Sequence, residues 1–139
     1  NGKNSEFHAA MGLANLSYVE RIVEKRKELT TVYDHYIQHL RVVKPIWHKN
    51  ATKNFAYYPI IFEDANLMHQ CIERLSNNEI GTRRYFYPSL ASSLPYLEPN
   101  SLPVTDDISN RVLCLPLFYD LSVEEVEVIC RLMLRTQNN

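Results

Sequence analysis

Apolar residues recur every three or four positions over the first part of the chain, which is the spacing that places them on one side of a helix. This pattern predicts helix from Phe7 to about Leu40. Residues 17–20, Ser-Tyr-Val-Glu, have the form of a capping box, in which the serine and glutamate side chains bond the first free amides of a helix. We therefore expect a break near Ser17, where one helix ends and a second begins.

The middle of the chain predicts two strands with a helix between them. Residues 54–62, NFAYYPIIF, favour a strand in which Pro59 lies at an edge or bulge, because proline has no amide for the ladder. Asp64 can cap the following helix, and residues 80–87 predict the second strand. The apolar side of this helix carries Leu67, Met68, Cys71, Ile72 and Leu75. Strand, helix and strand then form an α+β layer.

The last third of the chain combines a long loop with two predicted helices. Four prolines space out residues 88–103, a longer connection than usual and therefore a candidate functional segment. A short helix is predicted from Thr105 through Val112. Residues 122–125, Ser-Val-Glu-Glu, form a second capping box that opens an amphipathic terminal helix. We expect residues 1–139 to form a single domain.

Composition limits the classes of partner. Fifteen Lys and Arg residues against sixteen Asp and Glu give a net charge of −1, which argues against a nucleic-acid backbone or an anionic membrane as partner. The three cysteines include no CxxC pair, so neither a disulfide framework nor a zinc site is indicated, and a reducing cytoplasm fits best. The sequence shows neither a signal peptide nor a run of eighteen apolar residues, so we expect a soluble protein.

Motifs for self-contained catalysis are missing from the chain. His35 and His39 have metal-ligand spacing on one helix face, but a third ligand and the glutamate of an HExxH motif are missing, so surface histidines are the better interpretation. No GxSxG motif occurs, and three glycines are too few for a glycine-rich phosphate loop. We expect no metal site.

The stretch RRYFYPSL, residues 83–90, places two cations beside three aromatic rings. In a strand, alternation would put Arg83, Tyr85 and Tyr87 on one face, and Arg84 and Phe86 on the other. Guanidinium groups can pair with a diphosphate while a ring stacks on a sugar or base. Alternatively, Phe86 and one tyrosine fill the core and the arginines point to solvent. The residues alone leave both interpretations open.

Four separated stretches of the chain resemble one family in order and spacing. They are NGKNSEFHAAMGLANL at residues 1–16, EKRKELTTVYDHYIQHL at 24–40, IGTRRYFYPSL at 80–90 and VLCLPLFYDLSVEEVEVI at 112–129. Together they resemble the DegT/DnrJ/EryC1/StrS family of pyridoxal-phosphate (PLP) sugar aminotransferases. The resemblance implies an α+β fold: the C-terminal small domain of the aspartate-aminotransferase-like, fold type I architecture. Long N-terminal helices, a small antiparallel or mixed sheet and a C-terminal helix are its expected elements.

The resemblance also implies a cofactor contact near the start of the chain. Asn1 matches the asparagine that reaches across a homodimer interface toward the cofactor phosphate of the neighbouring subunit. Lys3 stands where the family usually has arginine. A lysine ammonium is a single point charge, whereas an arginine guanidinium can donate two parallel hydrogen bonds to a phosphate. In this family one lysine binds PLP covalently and lies in a characteristic sequence context. None of the lysines of this chain lies in that context. That lysine is expected in a large domain preceding this chain, and the chain alone is expected to be inactive.

Substrate contacts are implied in the opening half of RRYFYPSL. Tyr87 and the proline after it match the Tyr-Pro of a His-Tyr-Pro motif at the substrate mouth, and Phe86 replaces the histidine. Arg83 and Arg84 would meet the nucleotide diphosphate, and Tyr85 would also contact the substrate. Phe86 then suggests a subgroup with an aromatic wall.

The function implied is amino transfer from glutamate to a nucleotide-linked keto-deoxysugar, with dTDP as the expected nucleotide. Such an enzyme would act as a cytoplasmic homodimer in lipopolysaccharide or other amino-sugar biosynthesis. The alternatives are a non-catalytic or regulatory homologue that binds PLP or a nucleotide-sugar, and a sugar dehydratase of the same family. A free-standing interaction domain is a further alternative, and it would require the apolar face of residues 7–14 to be covered within this chain.

Overall fold

The structure, a computed structural model, describes residues 2–85, 87–96, 98 and 102–139. Helices and strands follow one another in a mixed order along these residues. They are α1 (Glu6–Leu16), α2 (Val19–Ile37), β1 (Val42–Val43), β2 (Tyr58–Phe62), α3 (Ala65–Ser76), α4 (Leu90–Ser93), α5 (Pro103–Arg111), β3 (Val112–Leu115) and α6 (Val123–Gln137).

The break between α1 and α2 is confirmed, but the capping box predicted there is wrong. Ser17 ends α1, and its hydroxyl donates to the carbonyl of Ala14 at 3.0 Å. Tyr18 precedes α2 with φ −104° and ψ −6° and supplies no side-chain cap. A capping box needs an extended residue before the helix, whereas both residues of this turn have helical backbone angles. Helical spacing therefore predicted the two helices correctly, and the local motif did not.

Strand β2 lies at the centre of a three-stranded antiparallel sheet of order β1-β2-β3. Pro59 stands opposite Cys114 of β3. Cys114 makes its backbone hydrogen bonds to Arg83, on the side of β3 that faces away from β2. Its amide donates to the Arg83 carbonyl at 2.8 Å, and its carbonyl accepts from the Arg83 amide at 3.1 Å. The Pro59–Cys114 pair therefore requires no amide from the proline. Strand β1 pairs only with Ile61 and Phe62 and does not reach Pro59. The prediction that Pro59 lies at an edge or bulge is therefore wrong: Pro59 lies in the central strand, at a position that β1 does not reach.

One strand prediction and one helix prediction are corrected by the structure. The described residues of 80–87 do not form the predicted strand, because only Arg83 among them bridges to β3 and the chain turns at Tyr85. The helix predicted through Val112 ends at Arg111, and the next four residues form β3. All four residues of β3 are buried, so they form a continuous apolar run without the alternation that identifies a half-buried strand.

One hydrophobic core joins α2, α3 and α6 to alternate positions of the sheet. Its fully buried large side chains include Leu29, Tyr33, Tyr58, Ile60, Phe62, Met68, Leu75, Leu113, Val126 and Met133. Asp64 caps α3 as predicted, accepting from the amides of Asn66 and Leu67. The Ser122 capping box of α6 is also present, with both of its hydrogen bonds formed. These caps fix the starts of two core helices.

Helix α1 lies outside this core and has no buried residue. Phe7 is 86% exposed, Met11 63% and Leu13 72%. The condition set for a free-standing interaction domain is therefore not met within the described residues. Within the same ranges, no helix combines the length and apolar character needed to cross a bilayer.

Candidate functional site

Arg83 lies at the outer edge of the sheet and turns its side chain toward two tyrosines. Its backbone pairs with Cys114 of β3, which fixes where the side chain begins. The Nη1 atom donates to the Tyr85 hydroxyl at 2.6 Å, and the Tyr85 ring meets the edge of the Tyr57 ring at 5.0 Å between centroids. The hydrogen bond to Tyr85 raises the pKa of Arg83, so its guanidinium is a permanent cation.

Arg84 points away from Arg83 and binds the end of α5. Its Nη2 atom donates to the carbonyls of Ser109 and Asn110, each at 3.1 Å. The guanidinium carbon lies 3.5 Å from the centroid of the Tyr87 ring, which is cation–π contact. A cation is favourable at the carbonyl end of a helix. These contacts fasten the segment onto α5.

The predicted alternation of side chains over residues 83–87 is wrong for Tyr87. Tyr87 was expected on the face of Arg83, but it stacks on Arg84. The reason is that the chain leaves the extended conformation at Tyr85. Phe86, which was predicted to line a substrate site, lies outside the described residues.

A cavity of about 580 Å³ opens between α2, the Arg83 segment and the turn after β3. Tyr57 and Tyr85 contribute rings from two sides, and Phe118 contributes a third, half-exposed ring. Two cations, Arg26 and Arg83, line the cavity, whereas no Asp or Glu of the described residues does. The cavity therefore combines positive charge with aromatic surface, which suits an anionic ligand that carries rings.

Arg26 was not identified as a site residue from the sequence. It stands in α2 within a run of charged residues that is typical of a solvated helix face. The signal that could have found it is its spacing, three positions before Leu29 and seven before Tyr33, which places it on the core side of the helix. Its Nε atom is buried and has no hydrogen-bond partner among the described residues.

A second polar cluster surrounds Asp34 on the other side of Tyr57. The Asp34 carboxylate accepts from the Tyr58 hydroxyl and the Lys44 ammonium, each at 2.5 Å. Tyr58 also stacks on Tyr33 with 4.6 Å between ring centroids. The pKa of Tyr58 is raised well above its ordinary value, mainly by burial of the phenol and to a smaller extent by its hydrogen bond to Asp34. These hydrogen bonds join α2 to β2 and to Lys44, just after β1.

Comparison with known proteins identifies the family. The sequence profile described as the DegT/DnrJ/EryC1/StrS aminotransferase family matches residues 1–134. The chain belongs to this family. Both the resemblance found in the sequence and the fold class that it implied are confirmed.

Curated relatives of the chain act on nucleotide-linked amino sugars according to their names. The dTDP-4-amino-4,6-dideoxy-D-glucose transaminase of Escherichia coli is 34% identical, over 96% of this chain and 38% of the relative. The GDP-perosamine synthase of Vibrio cholerae is 28% identical, over 88% of this chain and 34% of the relative. The chain thus spans little more than a third of the length of these relatives.

Solved structures of the family share the fold. The structure of DesI with its TDP-sugar product superposes with a TM-score of 0.87 and 24% identity, covering all of this chain and 37% of that one. At this level of identity the likeness concerns the fold alone. It agrees with the small antiparallel sheet and packed helices described above.

Of the two residues predicted to contact the cofactor, the structure describes only Lys3, which does not line the cavity. Asn1 lies outside the described residues. Lys3 is exposed ahead of α1 and makes no hydrogen bond or ion pair with the described residues. Each of the six lysines is exposed or half-buried, and Lys44 is paired with Asp34. No group of His, Cys, Asp and Glu in the described ranges has the arrangement of a metal site.

Proposed function

We propose that this chain is the C-terminal part of a PLP-dependent aminotransferase that moves an amino group from glutamate to a nucleotide-linked keto-deoxysugar. Family membership over residues 1–134 supports the reaction class. The transaminase relative named for a dTDP-linked dideoxyglucose supports dTDP as the nucleotide. The structural observation that carries the substrate class is the cationic, ring-lined cavity beside Arg83, where described carboxylates are missing.

The segment at residues 83–87 supplies the substrate contacts in this proposal. Arg83 offers a guanidinium at the cavity, and Tyr85 holds it there through the 2.6 Å hydrogen bond. Arg84 acts on the substrate through Tyr87, because it fixes this ring against the end of α5. Phe86, in place of a histidine, supplies an apolar wall at the sugar.

The chain supplies only part of a cofactor site in the proposed enzyme. PLP, when bound, serves as the electron sink for amino transfer. Asn1 and Lys3 would face its phosphate across a homodimer interface, where a cationic side chain suits an anion. The covalent lysine is proposed to lie outside this chain, because none of its six lysines has the family's sequence context for that residue. We place the enzyme in the cytoplasm, in lipopolysaccharide or other amino-sugar biosynthesis.

The test uses the full-length protein that contains this chain. It is incubated with PLP, nitrogen-15-labelled glutamate and a panel of dTDP-linked and GDP-linked keto-sugars, and the products are analysed by mass spectrometry. We expect label in the amino sugar formed from a dTDP-linked substrate. Label only in a GDP-linked sugar would correct the nucleotide, and loss of water from the sugar without label would indicate a dehydratase instead.

The isolated 139-residue chain provides the control for this experiment. We expect neither amino transfer nor a change in the PLP absorption spectrum on mixing. Covalent attachment of PLP to the isolated chain, detected as added mass after borohydride reduction, would contradict the proposed division of the active site.

A further inference from the structure

Two buried serines mark the contact between helix α5 and the segment around Tyr87. Among the described residues, the polar side chains that are buried belong to Ser89 and Ser109, at 2% and 7% exposure. Ser89 caps the short helix α4, and Ser109 belongs to α5. A buried polar group normally has a specific hydrogen-bond partner, so this contact is one that the fold specifies.

Ser89 is bonded to α5 through its side chain. Its hydroxyl donates to the Asp106 carboxylate and accepts from the Ser92 amide at 3.3 Å. A hydroxyl has one hydrogen to donate, so this hydrogen is committed to Asp106. Hydrogen bonds to a carboxylate are among the stronger ones in proteins, and a buried donor that loses its acceptor is costly. Asp106 is therefore a strong attachment point for the chain at Ser89.

Arg84 makes a second attachment to the same helix. Its Nη2 atom donates to two carbonyls in the last turn of α5, whereas Asp106 lies nearer the start of that helix. Tyr87 stands between Arg84 and Ser89 in the sequence, and its ring packs on the Arg84 guanidinium. The chain on both sides of Tyr87 is thus held by side-chain hydrogen bonds to α5.

Helix α5 is itself tied to the central strand of the sheet. Arg111, its last residue, donates from Nη1 to the Phe62 carbonyl of β2, and Phe62 is fully buried. Strand β3 follows α5 without a connecting loop. Helix α5 therefore connects the buried sheet to the segment around Tyr87.

We propose that Asp106 is a positioning residue, which through Ser89 fixes the chain after Tyr87 and so holds the Tyr87 ring where the substrate binds. This ring is 49% exposed, so it keeps open surface although Arg84 covers part of it. The substrate contact of Tyr87 rests on the proposed function, whereas the attachment of residues 87–93 to α5 does not.

Steady-state kinetics of the full-length protein test this role. Labelled amino transfer to the dTDP-linked keto-sugar gives KM and kcat for the wild type, Asp106→Ala, Asp106→Asn and Ser89→Ala. We expect Asp106→Ala and Ser89→Ala each to raise KM about tenfold while kcat changes less than about twofold, because a binding contact is misplaced and the cofactor is untouched. Asp106→Asn keeps an oxygen that accepts from Ser89, so its KM should return to within about threefold of the wild type.

Asp107→Ala is the matched control, because Asp107 is the next residue of α5 and its carboxylate pairs with Arg111 of the same helix. An exposed pair within one helix contributes little stability, so KM should stay at the wild-type value. The double variant Ser89→Ala/Asp106→Ala should raise KM no further than Asp106→Ala, since both changes remove the same bond. Additive effects in the double variant, or an equal rise in KM for Asp107→Ala, would overturn the proposal.

Hydrogen–deuterium exchange on the same full-length proteins measures the attachment without substrate. We expect faster exchange of residues 87–93 in Asp106→Ala and unchanged exchange in α6. Unchanged exchange of residues 87–93 would overturn the proposal. Equal acceleration in α6 would also do so, because Asp106 would then support the whole fold. Ser89→Ala removes the same bond from the other side, so it keeps the test decisive if Asp106→Ala fails to fold.

The two measurements together separate this inference from the proposed function. A wild type that transfers label while Asp106→Ala keeps the wild-type KM leaves the function standing and removes the positioning role. A wild type that transfers no label, while residues 87–93 exchange faster in Asp106→Ala, removes the function and leaves the attachment to α5 standing.

Discussion

Arg84 links a sequence segment of predicted function to the folded core. Its guanidinium bonds two carbonyls of α5 and covers the Tyr87 ring. Arg84→Ala in the full-length protein should therefore loosen residues 84–87 without touching the cofactor. We expect KM for the nucleotide-sugar to rise about tenfold, as loss of two hydrogen bonds to a charged group would allow, with the PLP spectrum unchanged. Arg135→Ala, at an exposed arginine of α6, should leave KM unaltered. Equal losses of PLP binding and of sugar affinity would contradict this role.

Tyr58 is a buried phenol whose protonation is tied to folding. Burial raises its pKa above the ordinary value of 10.0, so the unfolded chain releases this proton at a lower pH than the folded chain. The folded state then binds more protons, and its free energy of unfolding must fall as the pH rises above about 10. Below that pH, Tyr58→Phe should cost about 1 kcal/mol through the lost hydrogen bond to Asp34.

Urea unfolding at neutral and alkaline pH tests this behaviour of Tyr58. The stability difference between the wild type and Tyr58→Phe should shrink as the pH rises above about 10, because only the wild type has this phenol to ionise. Tyr57→Phe is the control, since the Tyr57 ring is exposed and lies outside the hydrophobic core. A difference that stays constant with pH would show that Tyr58 ionises alike in both states.

At the scale of elements, helix α6 depends on its capping box. The Ser122 hydroxyl accepts from the Glu125 amide at 3.1 Å, and the Glu125 carboxylate accepts from the Ser122 amide at 2.7 Å. Ser122→Ala should lower the free energy of unfolding by about 1 kcal/mol. Ser76→Ala, at an exposed serine that ends α3, should have a much smaller effect.

The same capping box should stabilise the protein less in acid than at neutral pH. The backbone and side-chain hydrogen bonds from Ser122 lower the pKa of Glu125. A carboxylate with a depressed folded pKa stabilises the protein above its ordinary pKa, and this contribution is lost as the pH falls through the folded value. The stability difference between the wild type and Glu125→Gln should therefore diminish in acid, as chemical unfolding at several pH values would show. A difference that grows in acid would contradict the bond to Ser122.

Helices were predictable from the sequence because helical spacing and caps are local properties. Asp64 and Ser122 each identified a helix start, and the core positions of α3 followed from period alone. Strand β3 was missed because its four buried residues form an apolar run without alternation. Residues 80–87 look like a strand, but their only described partner in the sheet is Cys114. Pairing is a tertiary property, so it cannot be derived from the segment itself.

The candidate site divides in the same way between local and tertiary information. Arg83 and Tyr85 were identified from a dense local motif, and the structure places both at the cavity. Arg26 was missed because it lies more than fifty residues before the motif, within a charged stretch of α2. Only the packing of α2 beside β3 and its following turn brings this arginine to the same cavity.

At the scale of the whole molecule, the chain consists of a packed unit and one helix outside it. Helices α2, α3 and α6 share their core with the sheet, whereas α1 buries no side chain. A protein seldom leaves such large apolar side chains in water without a partner surface. The exposed face of α1 agrees with the proposal that further protein, from the same chain or from a second subunit, covers it.

The division between α1 and the packed unit predicts the effect of a truncation. Because α1 contributes no buried residue, removing residues 1–17 from the 139-residue chain should leave the free energy of unfolding nearly unchanged. Fluorescence of a hydrophobic dye should fall, since Phe7, Met11 and Leu13 are removed with the helix. Ile129→Ala in α6 supplies the contrast, because it opens a core position that is 2% exposed and should cost about 2–5 kcal/mol. If the truncation cost as much as Ile129→Ala, α1 would belong to the cooperative core, and its apolar face would need no other partner.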